Sequence, residues 1–156
     1  MLILPLKVHR SSMAKFKRRA KDVFPLEAWG YLLGMNGTEA LEIVDIWIPE
    51  DLEKYAKKDK VDPPSHWPIQ ALEYCEEHDL TPLGSIHSHP YMYDELHHNG
   101  KRICVNPDHA TSEADSLSGI TTQVHAICRI LQSKSGRLTA TIKFWGPEIP
   151  VKEIHV

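Results

Sequence analysis

Residues Gly84–Leu117 read GSIHSHPYMYDELHHNGKRICVNPDHATSEADSL, and this stretch contains the features that decide the fold. Its first part belongs to a short apolar run that predicts a β-strand over Leu83 to His89. Successive side chains of a strand point to opposite faces, so His87 and His89 should project from one face, with Ser88 on the other. The sequence therefore predicts two imidazoles side by side on a rigid element.

The residues that follow this strand indicate a metal site. Pro90 is expected to end the strand, which would place the histidine pair at its carboxyl end, where sites of α/β proteins gather. Two imidazoles make half of a tetrahedral zinc site, and a catalytic zinc needs a third protein ligand and an open position for water. Ser112-Glu113-Ala114-Asp115 predicts the start of a helix over Ser112 to Leu117, on which Ser112 and Asp115 share a face. Asp115 could then supply the third ligand.

Each feature also has a simpler interpretation. Ser-x-x-Asp resembles a capping box, and a His-x-His pair on a strand can be purely structural. Other metal signatures are absent: the sequence lacks the His-x-Glu and Pro-Cys-x-x-Cys of zinc deaminases and the His-Glu-x-x-His of zincins. A His-x-His-x-Asp-His signature would need aspartate where Tyr91 stands.

The hydrophobic pattern outside this stretch alternates between helical and strand periods. It predicts an α/β fold with a mixed sheet, because some of the strands form hairpins. Asn36-Gly37 and Ser133–Gly136 are the predicted hairpin turns, and residues 50–64 are expected to form a loop. The predicted helices are Ser12–Val23 and Ser65–His78, and the predicted strands are Trp29–Met35, Leu41–Ile48, Val124–Leu131 and Leu138–Trp145.

Some side chains are assigned roles within these elements. Ser12 and Ser65 are expected to be N-caps. Ile69, Leu72 and Cys75 are expected to form the buried stripe of the second helix. The glycines of the first strand, Gly30 and Gly34, are expected to let a helix approach closely.

Length and composition limit the classes of function. The 156 residues suit one domain over 1–156. A net charge of −3 does not indicate binding of nucleic acid, and the basic run Lys15–Lys21 is expected to be a solvated helix face. No segment is long and apolar enough to span a membrane, and the N-terminal MLILPL precedes the basic residues, unlike a signal peptide, so we expect a cytoplasmic protein. Three dispersed cysteines predict neither a disulfide framework nor a zinc knuckle.

Three separated motifs together resemble the JAMM (MPN+, JAB1/PAD1/Mov34) zinc metalloprotease family. They are Glu27 in PLEAWGYLLG, His87-Ser88-His89-Pro90 after LGSI, and Ser112-x-x-Asp115, in the family's order from Pro25 to about Leu117. The resemblance implies a mixed sheet flanked by helices, in a layered architecture like that of cytidine deaminases. It also implies one Zn²⁺ per chain and hydrolysis of a peptide or isopeptide bond by metal-activated water.

The resemblance assigns a role to each residue that matches the motif. His87, His89 and Asp115 would bind the metal, Glu27 would be the general base, and Ser112 would help to hold the oxyanion. Without the resemblance, Glu27 would be interpreted as an exposed acid at a strand edge. The substrate would be a protein or peptide, ubiquitin-like modifiers being the best-known case. Two other functions stay open: a non-catalytic MPN-type interaction scaffold, and a zinc hydrolase of a small molecule.

Residues 91–111 depart from the family pattern, which has only about seven residues between its two metal-binding motifs. This insert allows Asp94, Asp108 or His109 to replace Asp115 as a ligand. A lid over the metal, a tolerated surface insertion, and a second metal site formed by His97, His98, Cys104 and His109 are the alternatives for its role.

Overall fold

The protein is described from a computed structural model, which covers residues 5–36, 41–102, 124–145 and 152–156. Helices and strands alternate along the chain, as predicted. In order, the elements are β1 (Pro5–Val8), α1 (Arg10–Val23), β2 (Trp29–Asn36), β3 (Leu41–Trp47), α2 (Leu52–Tyr55), α3 (His66–His78), β4 (Thr81–Tyr91), α4 (Tyr93–Leu96), β5 (His97–His98), β6 (Lys101–Arg102), β7 (Val124–Gln132), β8 (Leu138–Trp145) and β9 (Lys152–His155).

A seven-stranded sheet in the order β8-β7-β4-β2-β3-β1-β9 forms the middle of the fold. The sheet is mixed: β4 runs parallel to β7 and antiparallel to β2, while β1 runs parallel to β3 and β9. The predicted α/β class and the mixed sheet are therefore confirmed. Strand β4, which carries the histidine pair, has a neighbour on each side, so its backbone is held from both edges.

Helix α1 covers one face of the sheet and α3 lies on the other. The buried side chains of α1 include Met13, Phe16 and Ala20, as the helical spacing predicts. Helix α1 begins earlier than expected, at Arg10, so the prediction that Ser12 is an N-cap is wrong. The Ser12 hydroxyl is buried and donates to the Val44 carbonyl oxygen at 2.6 Å, so it joins the helix to β3.

Helix α3 turns a different face to the sheet from the one predicted. Trp67, Ala71 and Cys75 are its buried residues, whereas Ile69 and Leu72 are 58% and 50% exposed, so the predicted stripe is wrong. The large indole decides the orientation, because Trp67 stacks on the Trp29 ring of β2 at 5.3 Å between centroids. Ser65 occupies the N-cap position but makes no side-chain capping hydrogen bond.

Asp45 of β3 joins both helices to the sheet. Its carboxylate accepts hydrogen bonds from Tyr74 of α3 and from Lys15 of α1, the latter at 3.1 Å. Burial acts to raise the pKa of Asp45, but these hydrogen bonds outweigh burial and leave the pKa below its ordinary value. The ionised carboxylate therefore favours the folded state.

Strand β4 continues through Pro90 to Tyr91, so the prediction that Pro90 ends the strand is wrong. The Ser88 N–H points toward β2, and by alternation the imide nitrogen of Pro90 lies on the same edge. Pairing with β2 already stops at Trp29 and His87, so no ladder hydrogen bond is lost there. On the other edge, Pro90 stays in register with Ile130 of β7.

The close approach of strands β2 and β3 explains why residues 30 and 34 are glycines. A Cβ atom at Gly30 would lie 2.7 Å from the Trp47 carbonyl oxygen, and one at Gly34 would lie 1.6 Å from the Glu42 carbonyl oxygen. Both neighbours belong to the backbone of β3, so the expectation that a helix approaches these glycines is wrong. Gly34 lies at a shift in the β2–β3 register, where the strands are pressed together.

The connecting segments agree in part with the sequence prediction. The hairpin of β7 and β8 crosses residues 133–136 as predicted, whereas the expected loop over 50–64 contains the one-turn helix α2. Asn99 and Gly100, with φ of 52° and 76°, make a two-residue turn between β5 and β6. Asn36 is the last residue of β2, while Gly37 of the predicted turn and the helix predicted from Ser112 lie outside the described residues. Within the described ranges, none of the helices has the length and apolar character needed to cross a membrane.

Candidate metal and hydrolytic site

The two imidazoles of β4 meet at one point. The Nε2 atoms of His87 and His89 are 2.9 Å apart, and the ring centroids are separated by 4.8 Å. His87 is 6% exposed, because it lies in the sheet interior between β2 and β7, whereas His89 is half-buried. The same-face placement predicted from strand alternation is therefore found, with both ligand-capable nitrogens turned toward one position.

This pair has the donors and the spacing of half a zinc site. Two nitrogen ligands that bind one tetrahedral zinc at about 2.0–2.1 Å lie about 3.3 Å apart. The 2.9 Å separation of the two Nε2 atoms therefore needs to open by only a few tenths of an ångström. Without a metal, two neutral imidazoles satisfy this geometry when one Nε2 donates and the other accepts. The donor atoms of His87 and His89 and their separation therefore fit a zinc ion.

The predicted third ligand and the predicted oxyanion donor belong to a later segment of the chain. Ser112 and Asp115 both lie outside the described residues. Among the residues that are described, no group of three or more His, Cys, Asp or Glu side chains surrounds a common point. The assignments of these two residues stay predictions.

Glu27 lies beside the histidine pair. Trp29 is paired with His87 across β2 and β4, so the antiparallel register places Glu27 opposite His89 on the same face. Its backbone N–H donates to the Lys57 carbonyl oxygen at 2.8 Å, and the residue is 8% exposed. The interpretation of Glu27 as an exposed acid at a strand edge is therefore wrong.

A cavity of about 630 Å³ opens at this point, which we call the Glu27–His89 cavity. Residues from three parts of the chain form its walls: the start of β2, the loop after α2, and the end of β4 with α4. The lining residues are Glu27, Lys58, Asp59, His89, Pro90, Tyr91 and Glu95. A carboxylate, an imidazole and an open volume are thus brought together, which is the arrangement that acid–base hydrolysis requires.

The first turns of the insert form part of this cavity. Glu95 of α4 accepts a hydrogen bond from the Met92 N–H at 3.0 Å and forms an ion pair with Lys58 at 2.7 Å. Burial acts to raise the pKa of Glu95, but the hydrogen bonds from Lys58 and Met92 outweigh it, and the pKa is lowered. The ion pair ties the loop after α2 to the insert, so both flank the approach to His89.

Of the three alternative ligands predicted in the insert, only Asp94 is among the described residues. Asp94 is exposed on α4 and is not among the cavity-lining residues, while Asp108 and His109 lie outside the described residues. For the second metal site, His97 stacks on the Tyr93 ring at 4.2 Å between centroids. Cys104, which that site would need, lies outside the described residues.

Three cavity residues were not found from the sequence. Lys58, Asp59 and Glu95 belong to charged segments with no periodic pattern, so nothing in their local sequence separates them from ordinary surface residues. Lys58 and Asp59 reach the cavity only because the loop after α2 folds against the end of β4, whereas Glu95 lies in α4, which follows β4 directly.

Comparisons with known proteins agree with this architecture. The family model described as prokaryotic homologs of the JAB domain matches residues 7–94, which is more than half of the chain and includes Glu27, His87 and His89. No curated protein matches the sequence at a significant level.

Two solved structures match the chain at low sequence identity. The solution structure of protein DSY2949 from Desulfitobacterium hafniense is 14% identical, with a TM-score of 0.63, and the match covers 97% of this chain and 92% of that chain. The crystal structure of AF2198, a JAB1/MPN domain protein from Archaeoglobus fulgidus, is 17% identical, with a TM-score of 0.49 over 95% of this chain and 98% of that chain. The extent of the family-model match is decisive, and the chain belongs to the family of prokaryotic homologues of the JAB domain.

Proposed function

We propose that this protein is a zinc-dependent peptidase or isopeptidase of the JAMM type. The convergence of the His87 and His89 Nε2 atoms beside a buried Glu27 carries the proposal. In the proposal, His87, His89 and Asp115 hold one zinc ion, Glu27 is the general base and Ser112 is the oxyanion donor. The family membership supports this assignment, because the matched region contains the first three of the motif residues.

Each of the proposed site residues has a separate role in the hydrolysis. When bound, zinc supplies Lewis acidity and lowers the pKa of a coordinated water from about 15.7 to about 7. Glu27 accepts a proton from the attacking water and delivers it to the leaving amine. The Ser112 hydroxyl donates to the developing oxyanion, a contribution of about 2.7–4 kcal/mol for a single donor. His87 and His89 fix the position of the reaction beside the cavity, which His89 lines.

The shape of the cavity supports a polymer substrate. The Glu27–His89 cavity is about 630 Å³ in volume, and His89, one of its lining residues, is only half-buried. An extended peptide can therefore reach the histidine pair without passing through a closed pocket. We propose a protein or peptide substrate in the cytoplasm, with an isopeptide bond next to a ubiquitin-like modifier as one form to be tested.

Metal binding is the first test of the proposal. The purified wild-type protein should hold close to one zinc per chain, measured by elemental analysis, and should bind zinc in competition with a chromophoric chelator. Replacing His87 or His89 by alanine should abolish this binding. His78→Ala is the matched control, because His78 is exposed at the end of α3. A protein without zinc affinity would support the scaffold function instead.

Substrate class is the second test. The zinc-loaded protein is incubated with linear peptides, isopeptide-linked conjugates of ubiquitin-like proteins, and small amides or nucleotides. Cleavage of a peptide or isopeptide bond that is lost in His89→Ala supports the proposal. Hydrolysis of the small molecules alone would favour the small-molecule hydrolase.

A further inference from the structure

Ser88 stands between the two histidines and takes no part in the chemistry described above. Its side chain is 0% exposed and lies on the face of β4 opposite to the imidazoles. Its hydroxyl oxygen accepts a hydrogen bond from the Ala28 N–H at 2.7 Å, and its own N–H donates to the Ala28 carbonyl oxygen at 2.9 Å. Ser88 therefore binds both backbone polar groups of the residue that follows Glu27.

These two hydrogen bonds lengthen the contact between β2 and β4. Regular pairing of the strands ends at Trp29 and His87. In a regular antiparallel ladder, the next hydrogen-bonded pair would exchange two main-chain bonds. Here one of the two runs from the Ala28 N–H to a side-chain oxygen. The Ser88 hydroxyl thus holds the chain against β4 one residue beyond the ladder, at Ala28, which is bonded directly to Glu27.

The backbone of Glu27 is held from two sides as a result. Its own N–H donates to the Lys57 carbonyl oxygen, while the adjacent Ala28 is bonded to Ser88. Because Ser88 shares its strand segment with His87 and His89, one hydroxyl connects the segment of the general base to the segment of the metal ligands.

We propose that Ser88 is a positioning residue, which holds Glu27 at its working distance from the metal bound by His87 and His89. The inference rests on the proposed function and adds to it a role for the residue between the ligands. A serine that only satisfies a buried amide would affect stability alone. A positioning serine affects kcat at unchanged metal affinity, because a displacement of about 1 Å can reduce a rate about 100-fold.

The test compares Ser88→Ala with Ser88→Thr, which keeps the hydroxyl. Ser12→Ala is the matched control, because Ser12 is also a buried serine with a hydrogen bond to a backbone group, made away from the site at Val44. The first readout uses the metal-free protein: amide hydrogen exchange of Ala28, followed by NMR. The second is zinc affinity, and the third is kcat and KM on the cleaved substrate.

In Ser88→Ala, exchange of the Ala28 amide should be at least about 10-fold faster than in the wild type, because the amide has lost its acceptor. Zinc affinity and KM should stay within about threefold, while kcat falls about 10- to 100-fold. Ser88→Thr should restore both the amide protection and kcat, and Ser12→Ala should change neither. If Ser88→Ala does not fold, Ser88→Cys keeps nearly the same volume with a weak acceptor, and the same loss of kcat is expected.

Unchanged exchange of the Ala28 amide in Ser88→Ala, or unchanged kcat in that variant, would overturn the inference. A fall in zinc affinity that accounts for the whole loss of activity would also overturn it. If the wild-type protein binds zinc but hydrolyses nothing, the proposed function fails. The exchange experiment on the metal-free protein still decides in that case whether Ser88 holds the Glu27 segment.

Discussion

Replacing Glu27 by glutamine separates the chemistry of this carboxylate from its place in the structure. Glutamine has the same shape, and the backbone of residue 27 stays bonded to the Lys57 carbonyl oxygen. The side chain lies in a buried position, 8% exposed, beside His89 and is not itself assigned as a metal ligand. The variant should therefore fold and bind zinc as the wild type does, but it has no group basic enough to accept a proton at neutral pH.

The expected loss follows from the role of the side chain. Removal of a positioned general base lowers kcat by about 10²- to 10⁴-fold. At about 1.36 kcal/mol for each factor of ten, the barrier rises by about 2.7–5.4 kcal/mol. KM should change little, because an uncharged side chain of equal size leaves the walls of the Glu27–His89 cavity in place.

Glu95→Gln is the matched control, since Glu95 lines the same cavity but interacts with Lys58. Initial rates at saturating substrate, with zinc content measured on the same samples, give the comparison. Glu95→Gln should keep most of the wild-type kcat. Turnover of Glu27→Gln at the wild-type rate, or an equal loss in both variants, would show that the assignment of the base is wrong.

Three further predictions concern the framework around the site. Gly34→Ala should cost about 4 kcal/mol or prevent folding, because the new Cβ would lie 1.6 Å from a carbonyl oxygen of β3; a urea titration close to that of the wild type would contradict this. Asp45→Asn should lower the free energy of unfolding at pH 7 by about 1.5–3 kcal/mol through loss of the charged hydrogen bonds from Tyr74 and Lys15. Since the folded-state pKa of Asp45 is lowered, its contribution to stability is full above about pH 4 and is lost as the pH falls through the folded-state pKa. The free energies of unfolding of the wild type and of Asp45→Asn should therefore become equal in acid. An undiminished difference between them at pH 2 would refute the reasoning. Leu72→Glu should change stability by no more than about 0.5 kcal/mol, because Leu72 is 50% exposed, and a loss above about 2 kcal/mol in thermal unfolding would mean that the predicted stripe is buried after all.

Local patterns predicted the strands well where one physical factor dominated. Strand β8 alternates strictly between apolar and polar residues from Leu138 to Phe144, and its burial follows the same alternation. The Asn99-Gly100 turn was also predictable, because both residues tolerate positive φ. The same-face placement of His87 and His89 follows from strand geometry alone.

Prediction failed where a partner outside the segment decided the outcome. A helical stripe of Ile69, Leu72 and Cys75 satisfies helix periodicity, but the choice of buried face depended on Trp67 finding the Trp29 ring of β2. Pro90 reads locally as a strand breaker. It is accommodated within β4 because pairing with β2 has already ended at that edge.

The sequence by itself determined the class of the fold, the mixed sheet, and the two imidazoles of one strand, because these depend on periodicities of two and 3.6 residues within short segments. The tertiary structure alone decided that Glu27 is buried opposite His89, that Ser88 binds the residue after Glu27, and that Lys58 and Glu95 flank the cavity. The hydrogen bond between Ala28 and Ser88 joins residues 60 positions apart in the chain. The geometry of these contacts depends on strand order and register, which local periodicity does not encode.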